Sequence, residues 1–286
     1  MPKLNTTKQV QQDDGLPYEP TSQIVDPNTL RWLFVAPPGF GKSELFGLFN
    51  DSLMLACEEG HKFIQCHKMI IDEWAGSQGH VLDDDKNMHV SFVEAVDRIC
   101  SSERFRFISI DTVDALIKKC IDYHVGKANQ EHLSDLGDYG KGYDLGQNKP
   151  IRQAIDKIFA TGRGLGLITH QATETKSFTK GPKTKKETTL PAGVAKFIIP
   201  QMDLVIHGEF GAKREGNRHR DRIIRSEGTE DILAKNRGGI LPPAWISPLD
   251  PHERVKQIWS FFQADEKKRQ AAISAAYKEY TDLYQE

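Results

Sequence analysis

The stretch Val35-Ala36-Pro37-Pro38-Gly39-Phe40-Gly41-Lys42-Ser43-Glu44-Leu45 constrains this chain more than any other. Residues 36 to 43 fit the eight-residue pattern of a phosphate-binding loop, with alanine in place of the first glycine. A methyl group is tolerable there because that position only opens the turn. Gly39 and Gly41 are the demanding positions, since successive backbone N–H groups curl around an anion only where no Cβ blocks the approach. The apolar run 30–36 reads as a strand and 42–50 as the helix after the turn. The start of that helix and the Lys42 ammonium would neutralise a nucleotide's β and γ phosphates, and the Ser43 hydroxyl would reach Mg²⁺. The expected ligands are therefore ATP and Mg²⁺, contacted by Pro38, Gly39, Phe40, Gly41, Lys42, Ser43 and Glu44.

A phosphate loop needs further strands around it. From Leu30 onward short apolar runs alternate with helical patterns, which predicts an α/β core with a mostly parallel central sheet flanked by helices. Segments 52–59, 63–71, 104–111, 165–169, 203–210 and 221–228 read as strands. Segment 90–100 reads as a helix with Val93, Val96, Ile99 and Cys100 on one stripe, followed by helices over 113–124 and 151–162, the latter closed by Gly162. The Gly-, Asp- and Lys-rich residues 126–149 read as a long loop. The strand 104–111 ends in Asp111, a carboxylate placed to hold the Mg²⁺ shell together with Ser43. Glu58, at the end of the next strand after the loop, is the candidate base for an attacking water, with Glu59 its near competitor.

The 286 residues carry a formal net charge of -2, so a basic surface for nucleic acid has to be local. The sequence has no run of eighteen apolar residues and no secretory layout at its start, which predicts a cytoplasmic protein with no membrane partner. Four cysteines without a CxxC pair fit reduced thiols. Cys57, His61, Cys66 and His67 lie close enough in sequence to suggest zinc, but their spacing matches no common ligand pattern. Residues 1–29 read as a flexible arm, 30–250 as the core and 251–286 as a C-terminal helical segment.

With these parts in this order, residues 30–245 resemble the RecA-type recombinase core. They are most similar to the small phage-encoded RecA-like ATPases of single-strand annealing and recombination. The glutamate of "LACEEG", the strand end "ISIDT" and the strand "LGLITHQ" carry the resemblance. It implies that Gln171 senses the γ-phosphate with His170 beside it, and that the segment 172–190 is a mobile DNA-binding loop. Lys176, Lys180, Lys183, Lys185 and Lys186 could there neutralise a single strand while Phe178 stacks a base. It also implies that Lys235 and Arg237, in "AKNRGG", reach a neighbouring subunit's ATP, which makes the protein a homo-oligomer, either ring or filament. The basic turn with Lys213, Arg214, Arg218, Arg220 and Arg222 reads as a soluble hairpin tip.

The function expected is an ATP-dependent single-stranded-DNA-binding recombinase or annealing protein in a phage-infected cell, with a single-strand-binding protein as a further partner. A replicative-helicase-like motor and a non-hydrolysing nucleotide-dependent loader or scaffold are the alternatives.

Overall fold

The computed structural model describes residues 26–76, 81–83, 87–138, 140–178, 181–213, 218–229 and 231–284, and the side chains of these except 173–178 and 181–186. Residues 1–25 of the predicted arm (1–29), Lys180 and Arg214 lie outside the described residues, whereas Pro27–Thr29 of that arm form a 3-10 turn with Pro27 and Asn28 buried.

Strand β1 (Arg31–Ala36) is buried along nearly its whole length, as a parallel strand covered on both faces must be. Side chains alternate along it: Leu33 and Val35 enter one apolar core, and Trp32, Phe34 and Ala36 enter another on the opposite face. The phosphate loop follows, then helix α1 (Lys42–Gly47) and β2 (Ser52–Ala56). Next come β3 (Lys68–Ile71), β4 (Val81–Leu82), β5 (Met88–Val90), α2 (Phe92–Cys100), β6 (Phe107–Asp111) and α3 (Val113–Lys127). The second half holds α4 (Lys141–Tyr143), α5 (Lys149–Ala160), β7 (Gly164–Phe178), β8 (Gly181–Thr188), α6 (Ala192–Gln201) and β9 (Leu204–Phe210). It ends with β10 (Arg222–Arg225), β11 (Lys235–Asn236), β12 (Ala244–Ser247), α7 (Pro251–Ser260) and α8 (Glu266–Tyr284).

The main sheet runs β12-β10-β9-β1-β7-β6-β2-β3-β5-β4. Strands β9 through β5 in that order are mutually parallel, β10 and β4 run antiparallel to them, and β12 pairs antiparallel with β10 at the edge. One strand, β7, separates the phosphate-loop strand from β6, which carries Asp111. This is the mostly parallel central sheet flanked by helices that the sequence predicts. Helices α2, α3, α5 and α6 cover one face, and α1, α7 and α8 the other, giving three layers. On the second face Trp32, Phe34, Phe40, Phe46, Phe49 and Phe107 meet edge-on or tilted at centroid separations of 4.9 to 6.2 Å. Each such fully buried ring contributes about 1.5–3 kcal/mol, so the platform under the phosphate loop is one of the firmest parts of the molecule.

Several expectations need correction. Residues 126–149 are not a loop: α3 runs to Lys127, a 3-10 turn covers Leu133–Leu136, and α4 continues through a π-helical turn (Asp144–Asn148) into α5. The glycines that suggested a loop permit close packing instead. A Cβ on Gly142 would lie 2.1 Å from the Leu133 carbonyl oxygen, and one on Gly146 would lie 2.4 Å from Leu133 Cδ1. On α2 the buried stripe is Phe92, Ala95, Val96 and Ile99, and Cys100 is exposed. Segment 63–71 is a strand only from Lys68, because Glu59–Phe63 forms a 3-10 turn.

The predicted loop at 172–190 is an antiparallel hairpin. β7 leaves the main sheet after His170 and pairs with β8 from Gln171↔Thr188 to Phe178↔Gly181. Alternating threonines on both strands (Thr173, Thr175, Thr184, Thr188) were the available signal, since β-branched residues suit a pleated ribbon. The C-terminal segment is part of the same body: β12 extends the sheet, Ile258 of α7 and Phe261 just after it join the second core, and Tyr280 of α8 packs against Ile223 and Ala244.

Candidate nucleotide site

The site forms where parallel strands end together. Register aligns Ala36 with His170, Ile168 with Asp111, and Asp111 with Ala56, so the tips of β1, β7, β6 and β2 stand side by side. Ligands of open α/β sheets bind at this end.

Gly39 and Gly41 have φ of +74° and +89°, the left-handed conformation that the loop requires and glycine adopts without strain. A Cβ at Gly39 would meet nothing within 4 Å, so that side of the loop is open. Lys42, only 6% exposed, donates to the carbonyls of Ala36 at 2.7 Å and Pro37 at 3.1 Å. Burial pushes its pKa below the usual lysine range, against the pull of Asp111, Glu58 and Asp114. A buried ammonium whose hydrogen bonds go to backbone carbonyls rather than to a carboxylate suits an anionic ligand. Phe40 points away from the loop mouth into the aromatic core, against Phe34 and Phe210. Glu44 faces outward toward Arg254, 3.5 Å away.

Burial raises the Asp111 carboxyl above its usual range, opposed by the hydrogen bond from Ser43 and by Lys42 and His170, and reinforced by Glu58. A hydroxyl and a carboxylate already joined by a hydrogen bond are a donor set that fits Mg²⁺. The expected pair, Ser43 and Asp111, is therefore brought together.

Glu58 is brought in as well. Its Oε1 accepts a hydrogen bond from Thr112 Oγ1 and lies 3.4 Å from His170 Nε2. Glu59 is exposed at the start of the 3-10 turn, outside this cluster. His170, whose Nδ1 is buried without a partner, is the strand-end residue that meets Glu58. Gln171 follows it on the alternate face of β7 and pairs through its backbone with Thr188.

Sequence reasoning missed Asp114, in the first turn of α3. It accepts from Thr169 Oγ1 at 2.9 Å, from the His170 N–H at 3.0 Å and from Thr189 Oγ1. Thr169 Oγ1 also lies 3.1 Å from Thr188 Oγ1. One carboxylate thus ties the helix after Asp111 to both roots of the hairpin. The local signal was an acidic residue three positions after Asp111, on the first turn of a helix.

Lys235 and Arg237 lie at the other end of the sheet. Lys235 pairs with Val205 across β11 and β9, and its Nζ donates to the carbonyls of Pro200 and Met202, capping α6. Arg237 is paired with Asp203 at 2.8 Å. Of the basic turn, Arg220 donates to the carbonyls of Gly211 and Phe210, whereas Arg222 starts β10 and turns to the phosphate loop. The DNA-directed lysines 176, 183, 185 and 186 and Phe178 are on the hairpin strands, where only the backbone is described.

The four cysteines are free thiols. Among the described residues no group of three or more His, Cys, Asp or Glu is arranged to hold a metal ion, so Cys57, His61, Cys66 and His67 do not form the suggested zinc site. Burial pushes the Cys57 thiol up, which keeps it protonated beside Glu58. Among the described residues no helix is long and apolar enough to cross a membrane.

Residues 28–238 match the family model described as AAA domain. No curated protein matches the sequence. Among solved structures, the flagellar accessory protein FlaH from Methanocaldococcus jannaschii is similar at 10% identity and a TM-score of 0.38, over 78% of this chain and 87% of FlaH.

Proposed function

Because the chain belongs to the AAA-domain family of P-loop ATPases, we propose that it hydrolyses ATP and uses the cycle to grip and release single-stranded DNA, as a phage-type recombination or annealing protein. The observation that carries the hydrolytic half is the placement of Glu58, bonded by Thr112 and facing His170 at the same strand tips as Lys42 and Asp111. A Glu58 carboxylate fixed in this way can take the proton of an attacking water. Lys42 and the loop N–H groups stabilise charge that builds on the phosphoryl oxygens. Ser43 and Asp111 would hold Mg²⁺, which when bound screens the phosphates and orients them.

The DNA half rests on continuity. The strand that presents His170 to Glu58 is the strand that becomes the hairpin, and Asp114 holds both hairpin roots. A change at the γ-phosphate felt by His170 would therefore tilt the hairpin. Lysines 176, 183, 185 and 186 of its strands, with Lys180 of the same sequence segment, suit a phosphate backbone, and Phe178 suits an unstacked base. We assign hydrolysis to an interface between copies of the chain. Arg237 is well exposed, and would exchange Asp203 for a neighbour's nucleotide with Lys235 alongside.

The deciding experiment measures ATP turnover with and without single-stranded DNA, together with the particle mass in both states. Stimulation by DNA with a rise in mass is expected, and Lys42→Ala should abolish turnover. Normal turnover in Lys42→Ala would remove the site assignment. Turnover indifferent to DNA would remove the DNA reading and leave a nucleotide-dependent loader or scaffold. Strand displacement on a forked duplex would indicate a motor instead.

A further inference from the structure

The loop's inner side is where phosphates would sit, but its outer side is held by two arginines from far along the chain. Arg254, on α7, has a side chain with no solvent exposure. Its Nη1 donates to the Gly41 carbonyl at 2.8 Å, Nη2 to Leu249 at 3.2 Å and Nε to Pro248 at 3.3 Å. Arg222, at the start of β10, donates through Nη2 to the Gly39 carbonyl at 3.3 Å. Its Nη1 is buried with no hydrogen-bond partner, 3.1 Å from where a Gly41 Cβ would stand. The sequence separations are 183 and 213 residues.

A trans peptide points its C=O and N–H in opposite directions. The Gly39 carbonyl belongs to the peptide that carries the Phe40 N–H, and the Gly41 carbonyl to the one that carries the Lys42 N–H. Donors fixed on those two carbonyls therefore aim those two N–H groups inward, Arg254 sharing the Gly41 carbonyl with the Leu45 N–H of α1. Burying a guanidinium against neutral carbonyls, beside a second guanidinium, is unfavourable unless an anion on the far side of the loop rewards the positive potential. Burial lowers both arginine pKa values from their ordinary range, and Arg222 lowers that of Arg254 further. The carboxylates that act on Arg254 are Glu44, which is partly exposed and 3.5 Å away, and more weakly Asp250 at the N-cap of α7.

We propose that Arg222 and Arg254 are positioning residues of the nucleotide site, holding the Phe40 and Lys42 N–H groups toward a polyphosphate and adding cationic potential behind them. Nucleotide affinity is then governed in part by α7, which lies outside the 28–238 match. This rests on the reading of residues 36–43 as the nucleotide site.

The test uses the full chain, a fluorescent ATP analogue and a melting curve without nucleotide. Arg222→Gln removes one charge-assisted donor from a partly exposed side chain, and about tenfold weaker binding is expected. The loss should appear in KM more than in kcat, and the nucleotide-induced rise in Tm should shrink while the nucleotide-free Tm stays close to wild type. Arg254→Lys keeps the charge but cannot fork across three carbonyls, and should bind more weakly than wild type and more tightly than Arg254→Met. If Arg254→Met fails to fold, Arg222→Gln still decides. Wild-type affinity in Arg222→Gln would overturn the proposal. A folded wild-type chain that binds no nucleotide would overturn the underlying site reading instead.

Discussion

Gly41→Ala tests the loop and its outer brace together. At φ +89° a non-glycine residue is strained by roughly 1–2 kcal/mol. The added methyl would also lie 2.3 Å from Arg254 Nη1, and that guanidinium is fully buried and held by three carbonyls. It cannot swing aside without giving up its bond to the Gly41 carbonyl, a charged hydrogen bond of about 1.5–3 kcal/mol. The total is about 3–5 kcal/mol. Gly39→Ala is the internal control: its φ of +74° carries the same strain, but a Cβ there meets nothing within 4 Å. At an unfolding entropy of roughly 2.1 cal/mol/K per residue, the two variants should melt about 5–8 °C and about 2–3 °C below wild type respectively. Circular dichroism melts without nucleotide read the difference. In an Arg254→Met background the extra loss at Gly41 should shrink, since the clash has gone. Equal melting temperatures for the two alanine variants would refute the argument that Arg254 is fixed against the loop.

Two further outcomes follow from the site. Burial raises the Asp111 pKa above its unfolded value, so the stabilisation linked to its protonated form is present at low pH and is lost as pH rises through the folded pKa. At pH 7 without ligand, Asp111→Asn should therefore melt above wild type, with the gap closing below about pH 4, while Mg²⁺-dependent turnover is lost. A lower melting temperature than wild type at pH 7 would contradict this. Asp114→Ala should increase deuterium uptake in peptides spanning 168–172 and 187–191, because the His170 N–H and Thr189 Oγ1 lose their acceptor. Unchanged uptake would mean that Asp114 does not hold the hairpin root.

The parts legible in the sequence were those written in contiguous residues. The phosphate loop, the strand ending at Asp111 and the carboxylate of Glu58 each announce themselves within a few positions of one apolar run. The parts that were not legible depend on folding. Arg222 and Arg254 reach the loop from the starts of two separate elements, and no local pattern distinguishes them from surface arginines. His170 displaced Gln171 at the cluster because strand alternation decides which side chain faces Glu58, and that phase is set by pairing with β1 and β6. The helical stretch 141–149 was hidden by glycines that serve close approach to Leu133 rather than chain reversal.

The unbroken course of β7 through Gly164–Phe178 has a mechanical consequence. At about 3.3 Å per residue, the eight positions from Gln171 onward carry the ribbon roughly 25 Å past the catalytic edge. An arm of that length is a lever with its fulcrum at the His170 register position. A tilt of about 5° there displaces the far end by roughly 2 Å without any rearrangement of the globular body.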